Sequence, residues 1–155
     1  ERGGGAGALL KAAGDAWASK AGGTSGVLWG NAIAAVGTSL GDEAEAVSAH
    51  DVAEAVRAGI ETIRTMGKAE LGDKTMLDAM LPFIDALTAA LGAGDGLADA
   101  WEKAATVATQ AALDTAPLRP KIGRARPLAD KSVGTPDAGA TSFALAMTAI
   151  GEALR

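Results

Sequence analysis

Apolar residues recur at helical spacing along most of the chain, and glycine-rich or polar turns separate the stretches. In the stretch after Gly72 the apolar positions fall at i, i+3 and i+4 spacing, which is typical of one face of an α-helix. These positions are Met76, Leu77, Met80, Leu81, Ile84, Leu87 and Leu91. Pro82 lies inside this run and would remove one backbone hydrogen bond. The pattern predicts a strong helix that Gly72 opens.

Helical spacing also covers residues 9–20, 27–40 and 97–116 and the stretch after Asp137. Asp51 and Glu54 form an Asp-x-x-Glu cap pattern before a further helix that stops at Gly67. The apolar stripes of these helices contain Leu9, Leu10, Ala13 and Trp17, then Val52, Val56, Ile60 and Ile63, and finally Phe143, Met147, Ile150 and Leu154. The methionines and tryptophans lie mostly on such stripes and are predicted to be core.

No stretch alternates with period 2, as a half-buried strand would. The sequence therefore predicts an all-α protein, a mostly antiparallel bundle of about six helices joined by turns. Residues 1–8 are glycine-rich and predicted to be a flexible start, and residues 9–155 form one domain. Residues 117–137 contain four of the five prolines and are predicted to be one long irregular loop.

Composition narrows the possible functions. Only 3% of the 155 residues are aromatic, and much of the 48% hydrophobic content is alanine, which favours closely packed helices. The net charge of −5 argues against general nucleic-acid binding, which needs a basic surface. There is no cysteine for disulfides or thiolate metal sites. No apolar run approaches the roughly 20 residues of a membrane span, and no signal peptide is visible, so we expect a cytoplasmic protein.

Three polar turns that each lead into a helix carry the candidate chemistry. They are Gly22-Gly23-Thr24-Ser25-Gly26, Gly72-Asp73-Lys74-Thr75 and Asp137-Ala138-Gly139-Ala140-Thr141-Ser142. A helix N-terminus exposes unpaired N–H groups and the positive end of the helix dipole, which suits phosphate. Each turn also has a plain interpretation, with Asp73 and Asp137 as N-caps. Together with the basic loop Gly123-Arg124-Ala125-Arg126, they predict a nucleotide-binding face.

The remaining motifs give weaker indications of function. Gly67 to Thr75 nearly spells a P-loop, but Asp73 stands where the lysine should follow the second glycine, and no strand precedes it. We therefore reject a P-loop. His50 is the only histidine and is predicted to lie on the surface. No acidic pair or triplet has the spacing of a metal site.

These segments together resemble the nucleotide-binding L subunit, or L domain, of the dihydroxyacetone kinase family. The matching words are Gly-Gly-Thr-Ser-Gly-Val-Leu-Trp-Gly at 22–30, Gly67-Lys68-Ala69-Glu70 with Gly72-Asp73-Lys74-Thr75-Met76, Gly123-Arg124-Ala125, and Asp137 to Ser142. Their order and spacing follow the family from about residue 9 to the C-terminus. The resemblance implies a barrel of antiparallel amphipathic helices, of which this chain would be an incomplete version of the family's eight.

The resemblance also implies a reaction: transfer of phosphate to the terminal hydroxyl of dihydroxyacetone or a similar short ketose. In the family a histidine of a separate K subunit or K domain holds that ketose covalently, and the L part supplies ATP or ADP with Mg²⁺. The nucleotide-binding residues carried over by position are Gly23, Thr24, Ser25, Gly67, Met76, Arg124, Asp137, Ala138 and Gly139. Thr24 and Ser25 would meet the phosphates, Gly67 and Met76 would line the adenine pocket, and Arg124 would approach from its loop. Asp137, Ala138 and Gly139 would close over the nucleoside.

The magnesium ligands depart from the family pattern. The family uses three aspartates in a Gly-Asp-x-Asp-His-Gly-like segment ahead of an Arg-Gly pair. Glu1-Arg2-Gly3 matches the residues just after that segment. The ligands are therefore expected upstream of Glu1, the catalytic residues remain unassigned, and we expect this chain alone to bind nucleotide weakly without catalysis.

Several alternatives stay open within and outside this family. The phosphate donor is either ATP itself or a bound ADP that a phosphotransferase-system protein rephosphorylates, and the wording of 118–120 and 134–137 favours ATP. Erythrulose or another four-carbon ketose is a further acceptor. Other candidates are the ATP-binding domain of a fatty-acid kinase, which needs a lipid-carrying partner, and a non-catalytic helical interaction module without the metal site.

Overall fold

All regular elements in the residues that the structure describes are helical, which confirms the all-α prediction. The structure is a computed structural model, and it describes residues 5–43, 46–123 and 126–155. Within these ranges the long helices are α1 (Ala6–Lys20), α2 (Gly23–Leu40), α3 (Ala49–Gly67), α4 (Leu77–Gly92) and α5 (Leu97–Asp114), and a last long helix, α7 (Ala138–Ala153), follows the short α6 (Ala129–Ser132). Residues up to Lys68 and residues from Ala69 onward form two compact units.

Glycines form the contact between α1 and α2 in the first unit. A Cβ built on Gly30 would lie 2.6 Å from the carbonyl oxygen of Gly14, and one on Gly37 would lie 2.7 Å from that of Gly7. Such distances are shorter than ordinary carbon contacts, so only glycine allows this approach of the two backbones. The glycines recur seven residues apart on each helix, which keeps them on one face.

Because of this contact, the prediction that the tryptophans belong to the core is wrong for Trp17 of α1. Gly7 and Gly14 are buried, whereas Leu9 is 68% exposed and Trp17 is 50% exposed. Met66, near the end of α3, is also exposed. The close backbone contact selects the smallest side chains, so the larger apolar residues of α1 turn outward. The helix also begins at Ala6, inside the segment expected to be flexible.

α3 begins differently from the prediction. Its N-cap is Ser48, whose Oγ accepts a hydrogen bond from the N–H of Asp51 at 3.1 Å, and the Asp51 carboxylate accepts one from the N–H of Ser48 at 2.9 Å. This reciprocal pair replaces the expected Asp51–Glu54 cap, because serine reaches the amides of the first turn from outside the helix. The hydrogen bonds from Ser48 lower the pKa of Asp51. His50 lies in this first turn and is exposed, as expected for a surface residue.

The second unit has a core of larger side chains. The predicted stripe of α4 is largely buried, including Leu77, Met80, Ile84 and Leu87, and Pro82 lies inside the helix. The ring of Phe83 meets Trp101 of α5 edge-on at 5.1 Å between centroids. These contacts, with the predicted α7 residue Phe143 5.4 Å from Phe83, join α4, α5 and α7 in one core.

The connection from α5 to α7 is more ordered than predicted. The expected irregular loop 117–137 contains a 3₁₀ turn (Arg126–Leu128) and the one-turn helix α6. The N–H of Gly134 donates to the carbonyl of Ala116 at 2.8 Å, and the N–H of Asp137 donates to Thr115 Oγ1 at 2.7 Å. These bonds fasten the end of the connection back to the end of α5. Among the described helices, none has the length and apolar composition needed to cross a membrane.

Candidate functional site

The turn between Ala69 and Met76 is held by carboxylates. Asp78, in the first turn of α4, accepts hydrogen bonds from the N–H of Gly72 at 2.5 Å and from the N–H of Thr75 at 2.7 Å. Gly72 and Lys74 both have positive φ, 87° and 60°. Asp78 therefore fixes a backbone path that a residue with a side chain rarely adopts.

The expectation that Asp73 is the N-cap of a helix opened by Gly72 is wrong. The left-handed conformations at Gly72 and Lys74 delay the helix until Leu77, and Asp78 serves the amide of Thr75 instead. The Asp73 carboxylate accepts a hydrogen bond from the N–H of Glu70 at 2.8 Å and forms an ion pair with Lys121 at 3.3 Å. Asp73 thus stabilises the turn itself rather than the helix.

Asp137 is the N-cap of α7, as predicted. Its carboxylate accepts a hydrogen bond from the N–H of Ala140 at 2.8 Å and another from the N–H of Gly139. Burial raises the pKa of Asp137 and the nearby Asp78 raises it further, while these two hydrogen bonds and the charge of Lys74 act in the opposite direction. The chain's own carboxylate thus occupies two amides of the first turn of α7, those of Gly139 and Ala140, and its charge disfavours an external anion there.

Four candidate residues come together at this helix start. A Cβ built on Gly139 would lie 3.2 Å from the Cβ of Met76 and 3.0 Å from an Asp137 oxygen, so glycine lets the α7 backbone approach the turn. Ala138, next to Gly139, is exposed, and Met76 is partly exposed. Met76, Asp137, Ala138 and Gly139 therefore form one accessible apolar and acidic locus within residues 69–155.

The other described candidates lie in the first unit. Gly23, Thr24 and Ser25 are exposed and form the first turn of α2, which was expected to begin at Val27. The described residues provide no side-chain cap for this turn, and it contains no acidic residue. Its amides and hydroxyls therefore remain available to an anion.

Gly67 is the last residue of α3. A Cβ built on it would lie 3.9 Å from the side chain of Leu28, one turn along α2 from Thr24. Gly67 is thus close to the start of α2 within residues up to 68. Arg124 lies outside the described residues, as do Glu1, Arg2 and Gly3.

Two residues of this region were not among the predicted ones. The Nζ atom of Lys74, which is 3% exposed, donates to three backbone carbonyl oxygens. A lysine that follows Gly-Asp in a polar turn resembles any surface charge, so no sequence signal marked it. Asp78 could have been found, because Thr75-x-x-Asp78 has the spacing of a capping box.

Potential metal ligands in the described ranges do not cluster, and an open groove lies apart from the locus at Asp137. In residues 5–43, 46–123 and 126–155, no group of three or more His, Asp or Glu side chains is arranged to hold a metal ion. An open groove of about 420 Å³ lies along α5 and α7, where Glu102, Thr106 and Arg155 line it. It is at the C-terminal end of α7, so it is separate from the locus at Asp137.

Comparison with known proteins gives a consistent result. The model of the DAK2 domain family matches residues 1–152. The chain is similar to the L-erythrulose kinase of Pectobacterium atrosepticum, with 54% identity over 99% of this chain and 26% of the relative. It is 57% identical to the D-erythrulose kinase of Mycolicibacterium smegmatis over 92% of this chain and 24% of that relative. The chain thus spans about a quarter of the length of these kinases.

More distant relatives include a separate subunit and a solved structure. The ADP-binding subunit DhaL of the PEP-dependent dihydroxyacetone kinase of Escherichia coli is 31% identical over 91% of this chain and 67% of that subunit. The crystal structure of the dihydroxyacetone kinase from C. freundii in complex with AMP-PNP and Mg²⁺ matches with a TM-score of 0.69. It is 27% identical, and the match covers 96% of this chain and 23% of that one.

Proposed function

We propose that this chain is the nucleotide-binding module of a ketose kinase. It belongs to the DAK2 domain family, which is the family of the L component of dihydroxyacetone kinases. It would hold ATP while the acceptor ketose is bound by a partner K domain or subunit. Such a kinase would work in the cytoplasm, where ATP is plentiful.

The observation that carries the proposal is the contrast between two helix starts. At α7 the Asp137 carboxylate already occupies the first amides, whereas the amides of α2 have no side-chain cap among the described residues. Phosphate is attracted to free amides at the positive end of a helix and repelled by a carboxylate there. We therefore assign the phosphates to Thr24 and Ser25.

The locus at the start of α7 suits the nucleoside. Met76 offers an apolar surface next to Gly139, where the backbone carries no side chain. Asp137 offers a partly buried carboxylate that can accept hydrogen bonds from sugar hydroxyls or base amino groups. These features support the assignment of Met76, Asp137, Ala138 and Gly139 to the nucleoside. The assignment of Gly67 to the base rests on the resemblance to the kinase family.

The relatives' names support a four-carbon acceptor, and the lower identity to the subunits of PEP-dependent kinases favours ATP as the donor. Three kinases that act on erythrulose, by their names, are 47 to 57% identical to this chain. The DhaL subunits of PEP-dependent kinases are 31 to 34% identical. We therefore propose erythrulose rather than dihydroxyacetone, with ATP rather than a rephosphorylated ADP.

Magnesium does not fit the described residues, because no cluster of three potential ligands is present among them. In phosphoryl transfer the ion neutralises charge on the phosphates. The role of this chain's own described residues is therefore to bind and orient the nucleotide.

Calorimetric titration of ADP and of ATP into the protein, with and without Mg²⁺, tests the proposal. We expect Ser25→Ala to raise the dissociation constant about 2- to 12-fold, the equivalent of one lost hydrogen bond of about 0.5–1.5 kcal/mol. Ser19→Ala is the matched control, because Ser19 is an exposed serine in α1 whose hydroxyl donates to the Asp15 carbonyl of its own helix. Absence of nucleotide binding to the complete kinase in the presence of Mg²⁺ would reject the proposal.

The acceptor requires a separate assay on the complete kinase. Initial rates with erythrulose and with dihydroxyacetone, each with ATP, give the ratio of kcat/KM values. A ratio in favour of dihydroxyacetone contradicts the four-carbon assignment but leaves the nucleotide assignment standing.

A further inference from the structure

Lys74 is a buried lysine whose ammonium group donates to three backbone carbonyl groups. Its Nζ atom lies 2.6 Å from the carbonyl oxygen of Ser132, 3.0 Å from that of Leu118 and 3.2 Å from that of Ala116. An ammonium group has three N–H donors, so these three acceptors use all of them. Lys74 therefore has no donor left for a bound phosphate, unlike the lysine of a P-loop.

The three acceptors lie at two separate points of the α5–α7 connection. Ala116 and Leu118 follow the end of α5, and Ser132 is the last residue of α6. The carbonyls of Ala116 and Ser132 also accept backbone N–H groups, from Gly134 and Thr135, and a carbonyl oxygen has a second lone pair that the ammonium can use. A single side chain thus fastens both parts of the connection to the turn before α4.

The arrangement combines two uncommon features, a buried charge and a left-handed backbone at a residue with a side chain. A buried charge is unfavourable unless hydrogen bonds compensate for it, and a non-glycine residue with φ of 60° is uncommon. The same connection leads directly into Asp137, whose N–H is held by Thr115. Lys74 therefore links the turn that contains it and Met76 to the segment that precedes Asp137.

We propose that Lys74 is a positioning residue, which holds the α5–α7 connection so that Asp137 and Gly139 are presented next to Met76. This inference rests on the proposed function as far as nucleotide is concerned. The fastening itself stands on the three hydrogen bonds and can be tested without nucleotide.

Limited trypsin digestion reports on the fastening. Lys121, Arg124 and Lys131 are cleavable positions in the sequence of the connection, whereas Arg119 and Arg126 each precede proline. We expect Lys74→Met to accelerate cleavage in 121–131 at least 10-fold and to raise the dissociation constant for ADP about 10-fold. Lys103→Met is the control, because it removes an equal charge from an exposed lysine of α5.

A second control separates positioning from general stability. Trp101→Phe removes the 2.8 Å hydrogen bond from the indole to the Met147 carbonyl in the core of the same unit, far from the three carbonyls in sequence. We expect this variant to be less stable in urea but to keep both the wild-type cleavage pattern in 121–131 and the wild-type affinity for ADP.

The result that overturns the inference is a folded Lys74→Met protein with the cleavage rate and ADP affinity of Lys103→Met. If Lys74→Met loses its helical circular dichroism, acetylation of the lysines in the wild type takes its place, because the buried, triply bonded Nζ of Lys74 should react far more slowly than that of the exposed Lys103. A Lys74 that is acetylated as fast as Lys103 then overturns the inference. If the wild type binds no ADP, the proposed function fails, while faster cleavage in Lys74→Met still supports the fastening.

Discussion

Gly30→Ala should destabilise the protein through the α1–α2 contact. The added Cβ would lie 2.6 Å from both the Gly14 oxygen and the Ala18 Cβ, and 2.7 Å from the Ala18 nitrogen. Because carbon contacts are ordinarily about 3.5–4.0 Å, the two helices must separate locally by about 1 Å. The atoms in the way are mostly backbone, so no flexible side chain can move aside.

The magnitude follows from two opposing effects. Overpacking of a close contact costs about 1–3 kcal/mol. Replacing a helical glycine with alanine gains about 0.8–1.0 kcal/mol in helix propensity. We therefore expect a net loss of about 1 kcal/mol, which for a chain of this length lowers Tm by about 2–4 °C.

The assay is urea unfolding followed by circular dichroism at 222 nm, with the unfolding midpoint and slope fitted separately. Gly92→Ala is the matched control, since Gly92 ends α4 and a Cβ there would meet nothing within 4 Å. It should be neutral or more stable by up to about 1 kcal/mol. A Gly30→Ala protein at least as stable as the wild type would refute the close-contact argument.

Three further predictions concern stability. Ser48→Ala should lose about 1 kcal/mol with its capping box, and an unchanged urea midpoint would contradict the assigned cap. Trp101→Phe should lose about 1 kcal/mol with the hydrogen bond to Met147, again measured in urea; equal stability would mean that water replaces the bond. Burial raises the pKa of Asp137 above its ordinary 3.8, so ionisation of this carboxyl favours the unfolded state. The stability of Asp137→Asn relative to wild type should therefore increase as pH rises from 3.8 to that raised value. Urea midpoints of both proteins from pH 3 to 7 measure this, and an Asp137→Asn midpoint that falls relative to that of the wild type as pH rises would contradict it.

The helices with long apolar stripes could be predicted from sequence, but their contact faces could not always be. In α4 the buried positions Leu77, Met80 and Ile84 are those of the stripe, because large side chains there gain most from burial. In α1 the stripe is misleading, because Gly7 and Gly14 permit a backbone approach that outweighs the burial of Trp17. The spacing of hydrophobic residues cannot reveal a helix contact that is made by glycines, because glycine has no side chain.

The residues of the candidate site could be predicted mainly from the short sequence motifs that resemble those of the kinase family. Periodicity alone does not bring Met76 and Gly139 together, since their contact depends on how α4, α5 and α7 pack. The cap at Asp137 is local and was predicted for that reason. Lys74 could not be assigned, because its three acceptors are backbone groups that any residue would provide.

The order of helices along the chain has a consequence for folding kinetics. α1 and α2 are joined by only Ala21 and Gly22, so their contacts require little loop closure and should form early. The helix α7 reaches α5 only after the connection from Thr115 to Asp137 has closed, which carries a larger entropy cost. α7 should therefore dock late in refolding, and its amides should be the last of the long helices to gain protection from hydrogen exchange.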